Sequence, residues 1–305
     1  MLKYLFFILF FSQFSHSQTV KGIIIDSISK KPIELTNVFF TESYYGTFTN
    51  EKGFFQLNTK DNKSDILITN IGYESKKVDI SKFLENKDST IVFYLKPKIE
   101  KLDEVIISSK KNNYSSTKSI LSEREKILFY SFQFGSENIT YIKNDFHKKG
   151  KIQTVFLDLK KVKDFKEPCK KCKVEYIISL NIKFYEYDKK NKIPGKEICN
   201  KNIIVELQNK TYKLKVDVDS LNIDFPKNGV CVGVETINTK YEKTNNKFGL
   251  NAPSILFSNT KSKDEVISWS RHRKEGWKFI PDSNKKMNNT FFKKIAIDLK
   301  VKIEK

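Results

Sequence analysis

From Val20 to Leu95 short apolar runs alternate with polar turns at a spacing of about ten residues, a pattern of short antiparallel strands. Val20 to Asp26 alternates around Gly22, and Asn37 to Thr41 follows Pro32, which suits an edge entry because proline cannot donate to a ladder. Thr47 to Asn50 runs into Glu51-Lys52-Gly53, a tight turn whose glycine tolerates a positive φ. Phe55 with Leu57, Ile66 with Ile68, Val78 with Ile80, and Ile91 with Phe93 and Leu95 then share strand faces. Period-two spacing puts each group on one side of its strand, so two sheets can close over a common core as a small β-sandwich.

The pattern changes at Ser108 to Ser122, where Ser, Lys and Asn dominate. This predicts a linker over 109–126, with one short helical turn at Glu123 to Leu128. Beyond it, aromatic and β-branched runs return at Ile127 to Phe134, Asn138 to Lys143, Ile152 to Leu159 and Val174 to Tyr187. They continue at Ile203 to Leu207, Tyr212 to Val218, Gly229 to Thr236, Val266 to Ser270 and Ile295 to Ile303. Pro194-Gly195, Asn209-Lys210, Pro226 to Gly229 and Lys274 to Gly276 read as turns. About nine strands of this length predict a larger, jelly-roll-like β-sandwich over 127–305.

Residues 1–17 carry a different signal. Lys3 precedes the unbroken apolar run Leu5 to Phe11, and Ser15-His16-Ser17 forms a small-x-small cleavage site. The run is too short to span a bilayer, and the pattern is that of a secretory signal peptide. The expectation is an exported protein of the periplasm or outer-membrane surface, with no transmembrane segment after cleavage. Twenty-five Phe and thirteen Tyr against two Met favour strands throughout. The formal charge of +20 would point to nucleic acid in a cytosolic protein. In an exported chain the expected partners are instead an anionic surface or an acidic glycan, and nucleic acid is not expected. The lysines are scattered rather than blocked, as on a solvated basic surface.

Specific positions in the first domain carry a resemblance. Val20-x-Gly22 opens it, Asp26 is followed by Pro32-Ile33 and Asn37-Val38, and Gly46-Thr47-x-Thr49-Asn50 precedes Gly53-x-Phe55. Asp65 leads a strand ending in Ile71-Gly72-Tyr73, and Leu102-Asp103-Glu104-Val105 closes the domain. In this order they resemble the carboxypeptidase-like regulatory domain over 18–108. The resemblance implies a seven-stranded, transthyretin-like β-sandwich without catalysis of its own. In related chains this domain precedes the plug and barrel of a TonB-dependent receptor, but about twenty-two strands need several hundred residues, and fewer than two hundred follow here. Association with a receptor assembly is the corresponding expectation. Residue by residue, Gly46, Gly53 and Gly72 read as turn formers, Asp26, Asn37 and Asn50 as Asx-turn residues, and Tyr73 as a core ring with its hydroxyl at the rim. Phe134-Gly135-Ser136-Glu137, Lys192-Ile193-Pro194-Gly195 and Gly233-Val234-Glu235 are similar to segments that follow this domain in envelope proteins.

Catalytic chemistry finds little to use. His272 and Glu275 match an H-x-x-E zinc half-site, but no histidine follows, and His147 stands in a Lys-rich turn. No G-x-S-x-G elbow or phosphate-binding glycine loop occurs. Acids at Asp217 to Asp224 and Val232 to Glu235 read as the solvated face of strands. No catalytic residue, metal or cofactor is expected. Cys169 and Cys172, in a C-x-x-C, are open to a redox pair, a zinc site or a loop-closing disulfide, and Cys199 and Cys231 to a second disulfide or two buried thiols. The disulfides 169–172 and 199–231 are the preferred pairing. Trp269 and Trp277 flank a basic hairpin holding Arg271, His272 and Arg273, either as core or as a ring-stacking glycan site. The function expected is a non-catalytic envelope interaction or structural module with a protein partner, or alternatively a glycan-binding module of a polysaccharide-uptake system.

Overall fold

The computed structural model describes residues 19–41, 46–59, 65–70, 72–83, 90–98, 114–122, 124, 126–130, 134–161, 176, 178–199, 201–208, 210–237, 252–260, 268–273, 276–280 and 292–305. The signal segment 1–17, the Leu102 to Val105 motif, Cys169, Cys172 and Glu275 lie outside them. The chain divides into two units, Met1–Ile99 and Glu100–Lys305.

The first unit contains β1 (Thr19–Asp26), β2 (Asn37–Phe40), β3 (Gly46–Phe48), β4 (Phe54–Asn58), β5 (Ile66–Thr69), β6 (Lys76–Val78) and β7 (Thr90–Leu95). They form a three-stranded sheet, β4-β1-β7, and a four-stranded sheet, β3-β2-β5-β6. The alternation of β1 is complete: Val20 and Ile24 are buried while Lys21, Ile23 and Ile25 are half-exposed. Phe55, Leu57, Phe93 and Leu95 bury the same face of this sheet, and Val38, Phe40, Ile66 and Ile68 the facing one. Gly22 leaves room for a ring, since a Cβ there would lie 2.5 Å from Phe55 Cε1. One feature departs from an antiparallel sandwich, because β1 and β7 run parallel. A parallel pair needs a long crossover, and here the whole second sheet lies between them in sequence.

Turn chemistry in this unit follows the sequence at Asp26, Asn50, Gly53 and Gly72, whereas Asn37 and Gly46, read as turn residues, open the paired strands β2 and β3. Asp26 Oδ1 accepts the Ile28 and Ser29 amides at 2.7 and 3.0 Å, and Asn50 Oδ1 accepts those of Lys52 and Phe54, both at 3.0 Å. Tyr73 donates its hydroxyl to Asp26 Oδ2 at 2.9 Å, joining two turns. Gly53 and Gly72 have φ of 68° and 79°, values that glycine adopts freely.

The second unit begins with β8 (Lys118–Ile120), β9 (Lys126–Tyr130), β10 (Ser136–Ile142), β11 (Gly150–Lys160) and β12 (Ser179–Asp188). It continues with β13 (Ile193–Glu197), β14 (Ile204–Val205), β15 (Tyr212–Asp217), β16 (Asp224–Phe225) and β17 (Val230–Ile237). It ends with β18 (Ser254–Thr260), β19 (Ser268–His272), β20 (Lys278–Phe279), β21 (Phe292–Ile295) and β22 (Ile297–Ile303). A seven-stranded sheet has the order β13-β12-β17-β10-β19-β20, with β14 also on β12. An eight-stranded sheet has the order β21-β18-β11-β22-β8, with β15 and β16 on β11 and β9 on β18. Ile182, Phe184, Val230, Val232 and Val234 of the first meet Ile152, Val155, Leu157, Val216, Leu299 and Val301 of the second in one apolar core. The molecule is therefore an all-β protein of sandwich-like sheets. Among the described residues this unit has fifteen strands rather than the nine expected.

Two expectations for the 109–126 segment are corrected. Lys118–Ile120 is a strand paired with β22, and Lys126–Tyr130 is a strand rather than a helical turn. The reason for the first is Asp298 on β22, which is buried. Its carboxylate accepts Ser122 N and Oγ, both at 2.9 Å, Arg124 Nη2 at 2.8 Å and Lys213 Nζ at 2.6 Å. A buried carboxylate must be paired, and Ser122 and Arg124 supply the partners that tether this segment to the sheet.

Candidate functional site

The outer face of the seven-stranded sheet, away from the apolar core, carries an unusual set of side chains. Strand register builds it as a grid. Arg271 on β19, Glu137 on β10, Glu235 on β17 and Asn181 on β12 stand side by side in one row. Trp269, Ile139, Gly233 and Lys183 form the next, and Tyr141, Cys231, Tyr185 and Glu197 the third. Glu137 and Glu235 are thus directly opposed like charges, which destabilise a sheet unless neutralised. Both are buried, Glu137 to 1% exposure.

Neutralisation comes from both flanks. Arg271 contacts Glu137 Oε2 through Nε at 2.8 Å and Nη2 at 2.6 Å. Tyr185 donates its hydroxyl to Glu137 Oε1 at 2.6 Å and accepts from Arg271 Nη2 at 3.0 Å. Lys183 Nζ lies 2.9 Å from Glu235 Oε2, which also accepts Asn181 Nδ2 at 3.4 Å. Gly233 makes the space: a Cβ there would stand 2.9 Å from Glu137 Oε1 and 3.0 Å from Ile139 Cγ1.

The electrostatics follow from the packing. Burial would raise the Glu137 carboxyl, but Lys183 and Arg271 outweigh it and hold it below its ordinary value. Burial lowers Lys183, yet Glu235, Glu137 and Glu197 together carry it above the ordinary lysine range. Tyr185 is pushed well up by burial and by Glu137. Glu197 is pushed up to about 7, mainly by burial, and its buried Oε1 has no hydrogen-bond partner. Cys231 is raised to about 12 by burial and is chemically quiet.

Aromatic rings flank the charges. The Arg271 guanidinium lies 3.9 Å from the Trp277 ring centroid, and Tyr185 meets Trp277 edge-on at 5.8 Å. Trp269 packs with Ile139, Tyr185 and Cys231, and its ring neighbours are Tyr187 at 6.1 Å and Phe279 at 6.4 Å.

Of the residues singled out in the sequence, the structure gathers Trp269, Arg271 and Trp277 on this face. Trp269 is buried to 2% exposure, so it offers no open ring for stacking and serves as core; Trp277 is half-buried. His272 ends β19 half-buried opposite Ser136. Arg273 follows at φ 54°, buried, with its guanidinium 5.4 Å from the Phe134 ring. His147 is exposed in the turn before β11. Cys199 and Cys231 are both free and buried, so the expected 199–231 disulfide is not formed. Cys199 lies in the inter-sheet core while Cys231 faces the outer cluster. Among the described residues no group of His, Cys, Asp or Glu is arranged to hold a metal ion.

Glu137, Lys183, Tyr185, Glu197 and Glu235 were not among the candidates, and Glu235 is not on a solvated face as its alternation suggested. A signal was present: Val230–Ile237 reads VCVGVETI, buried at every position. An acid inside such a strand must find a buried cation. A raised carboxyl beside a depressed one has the electrostatic form of an acid–base pair. Here both Glu137 oxygens are engaged, Oε1 by Tyr185 and Oε2 by Arg271, and the cluster links four neighbouring strands.

A seven-stranded sandwich with Asx-braced turns, joined to a second unit with a buried ion-pair cluster on one of its sheets, defines an all-β, two-unit protein. Residues 20–107 match the CarboxypepD_reg-like domain, and that segment belongs to this domain family. No curated protein matches the chain. Among solved structures it is similar to one of infectious bursal disease virus, Gx strain, at 10% identity and TM-score 0.27, over 89% of this chain and 62% of that one. It is also similar to one of the Gt strain, at 9% identity and TM-score 0.24, over 94% and 63%. The chain spans less than two thirds of either relative, and likenesses this remote bear on neither mechanism nor partner. No helix among the described residues is long and apolar enough to cross a membrane.

Proposed function

We propose that the protein is a non-catalytic, exported module of a Gram-negative envelope that docks a protein partner, with an outer-membrane receptor assembly as the expected setting. The observation that carries this reading is the pairing within the outer-face cluster. Glu137 is held by Arg271 and Tyr185, and Glu235 by Lys183 and Asn181. Such groups stabilise a scaffold; a nucleophile or general base needs an accessible atom within reach of substrate. The regulatory-like domain at 20–107 supports the same reading, and so does the signal-like pattern of residues 1–17.

Crosslinking in intact cells, followed by purification of the protein and mass spectrometry, tests the proposal. A stoichiometric envelope protein is the expected product. Fractionation of the protein to the cytosol with no envelope partner would remove the proposal.

A further inference from the structure

The outer face of the eight-stranded sheet is separate from the cluster above and has the opposite character. Phe156 on β11 stands opposite Lys215 on β15 and Asp298 on β22, and Thr154, on the same face, stands opposite Lys300. Lys213 and Lys300 place their ammonium groups 5.4 and 5.8 Å from the Phe156 ring centroid, and Lys160 stands 4.9 Å from that of Phe129. Lys160, Lys213, Lys215 and Lys300 are all exposed.

The acids on this face are largely engaged. Asp298 takes Arg124 and Lys213, and Asp158 takes Arg124 at 2.7 Å. Two carboxylates against one guanidinium and one ammonium leave this part neutral. At the far end of the strands Asp219 pairs with Lys302 and Asp224 with Lys151. Asp217 is exposed there, with Oδ1 capping the Asp219 amide. Among the described residues no carboxylate lies within ion-pair distance of Lys160, Lys215 or Lys300. The sheet thus holds three uncompensated cations at fixed positions around two phenylalanine rings.

We propose that this face binds an acidic polysaccharide. A strand repeats each face about every 7 Å, so successive lysines meet several carboxylates of one extended polymer at once, and multivalency makes weak pairs additive. A bilayer surface fits less well, because insertion needs protruding apolar side chains and both rings here lie half-buried with lysines over them. The inference rests on the envelope location proposed above and adds a ligand to it.

The test uses the full chain with polygalacturonate as the probe, neutral dextran as control, and phosphatidylglycerol vesicles as the rival ligand. Binding is measured by affinity electrophoresis and calorimetry near physiological salt. Lys215→Glu/Lys300→Glu is compared with Lys190→Glu/Lys227→Glu, which makes the same charge change in the exposed turns before β13 and before β17, and melting curves verify that both are folded. The first pair is expected to weaken polygalacturonate binding about tenfold or more, and the second about twofold or less. Equal losses would overturn the proposal in favour of diffuse attraction to net charge. No binding by the wild type, or vesicle binding abolished by the same Lys215/Lys300 variant, would also overturn it. Such a failure leaves partner capture in cells unaffected, so the two readings fall separately.

Discussion

Glu197 is the residue whose ionisation most directly links pH to this fold. Its carboxyl is raised from an ordinary 4.5 to about 7, chiefly by burial. Between those values the folded chain holds a proton that the unfolded chain has released, so this group's contribution to stability declines as pH rises from about 4.5 to 7. Glu137 acts in the opposite sense and below that window, since its lowered carboxyl stabilises the fold until acid protonates it. Glu197→Gln should therefore flatten the decline in the urea midpoint between about pH 4.5 and 7. It should leave the loss of stability at lower pH in place. At Gly233 a Cβ has nowhere to go without moving Glu137 or Ile139. Gly233→Ala should lower stability by about 1 to 3 kcal/mol, read from the same urea titration.

At the scale of elements, β8 shows how one buried carboxylate sets a boundary. Asp298 gathers Ser122, Arg124 and Lys213 and stays ionised: burial raises it, but those bonds outweigh burial and lower it. Asp298→Ala should destabilise the second unit by about 3 kcal/mol and speed amide exchange at Lys118–Ile120 more than in β11. The sequence read Ser108 to Ser122 as linker because its composition is polar, and composition does not reveal a long-range partner 176 residues away. The same limit explains other strands. Pro194-Gly195 suggested a turn, yet Ile193–Glu197 is an edge strand, where a residue without an amide hydrogen is tolerated. Ser254–Thr260 was missed because serine and asparagine interrupt its apolar run, although it pairs with β9, β11 and β21. The first domain was legible nearly strand by strand, because its turns are made by local Asp, Asn and Gly chemistry. The outer-face cluster was only half legible. Its Arg and Trp residues sit in one short hairpin, while its acids come from distant strands that register alone brings together.

For the whole molecule, two units each carry their own buried side chains. A fragment of residues 18–108 is expected to fold alone, with a single cooperative thermal transition and dispersed amide resonances. An unfolded fragment would mean that its sheets depend on the rest of the chain. The central claim is that the buried charges of the second unit hold a scaffold together and perform no chemistry. Groups retained for catalysis usually cost stability, so replacing them tends to raise the melting temperature. Groups retained for architecture do the reverse. Glu137→Gln keeps the shape and removes the charge, leaving the buried Arg271 without its ion-pair partner, while Lys183 keeps Glu235. The measurement that decides is the thermal stability of this one variant against the wild type at pH 7. The account predicts a clear fall, of about 3 kcal/mol; a variant that melts at a higher temperature than the wild type would contradict it.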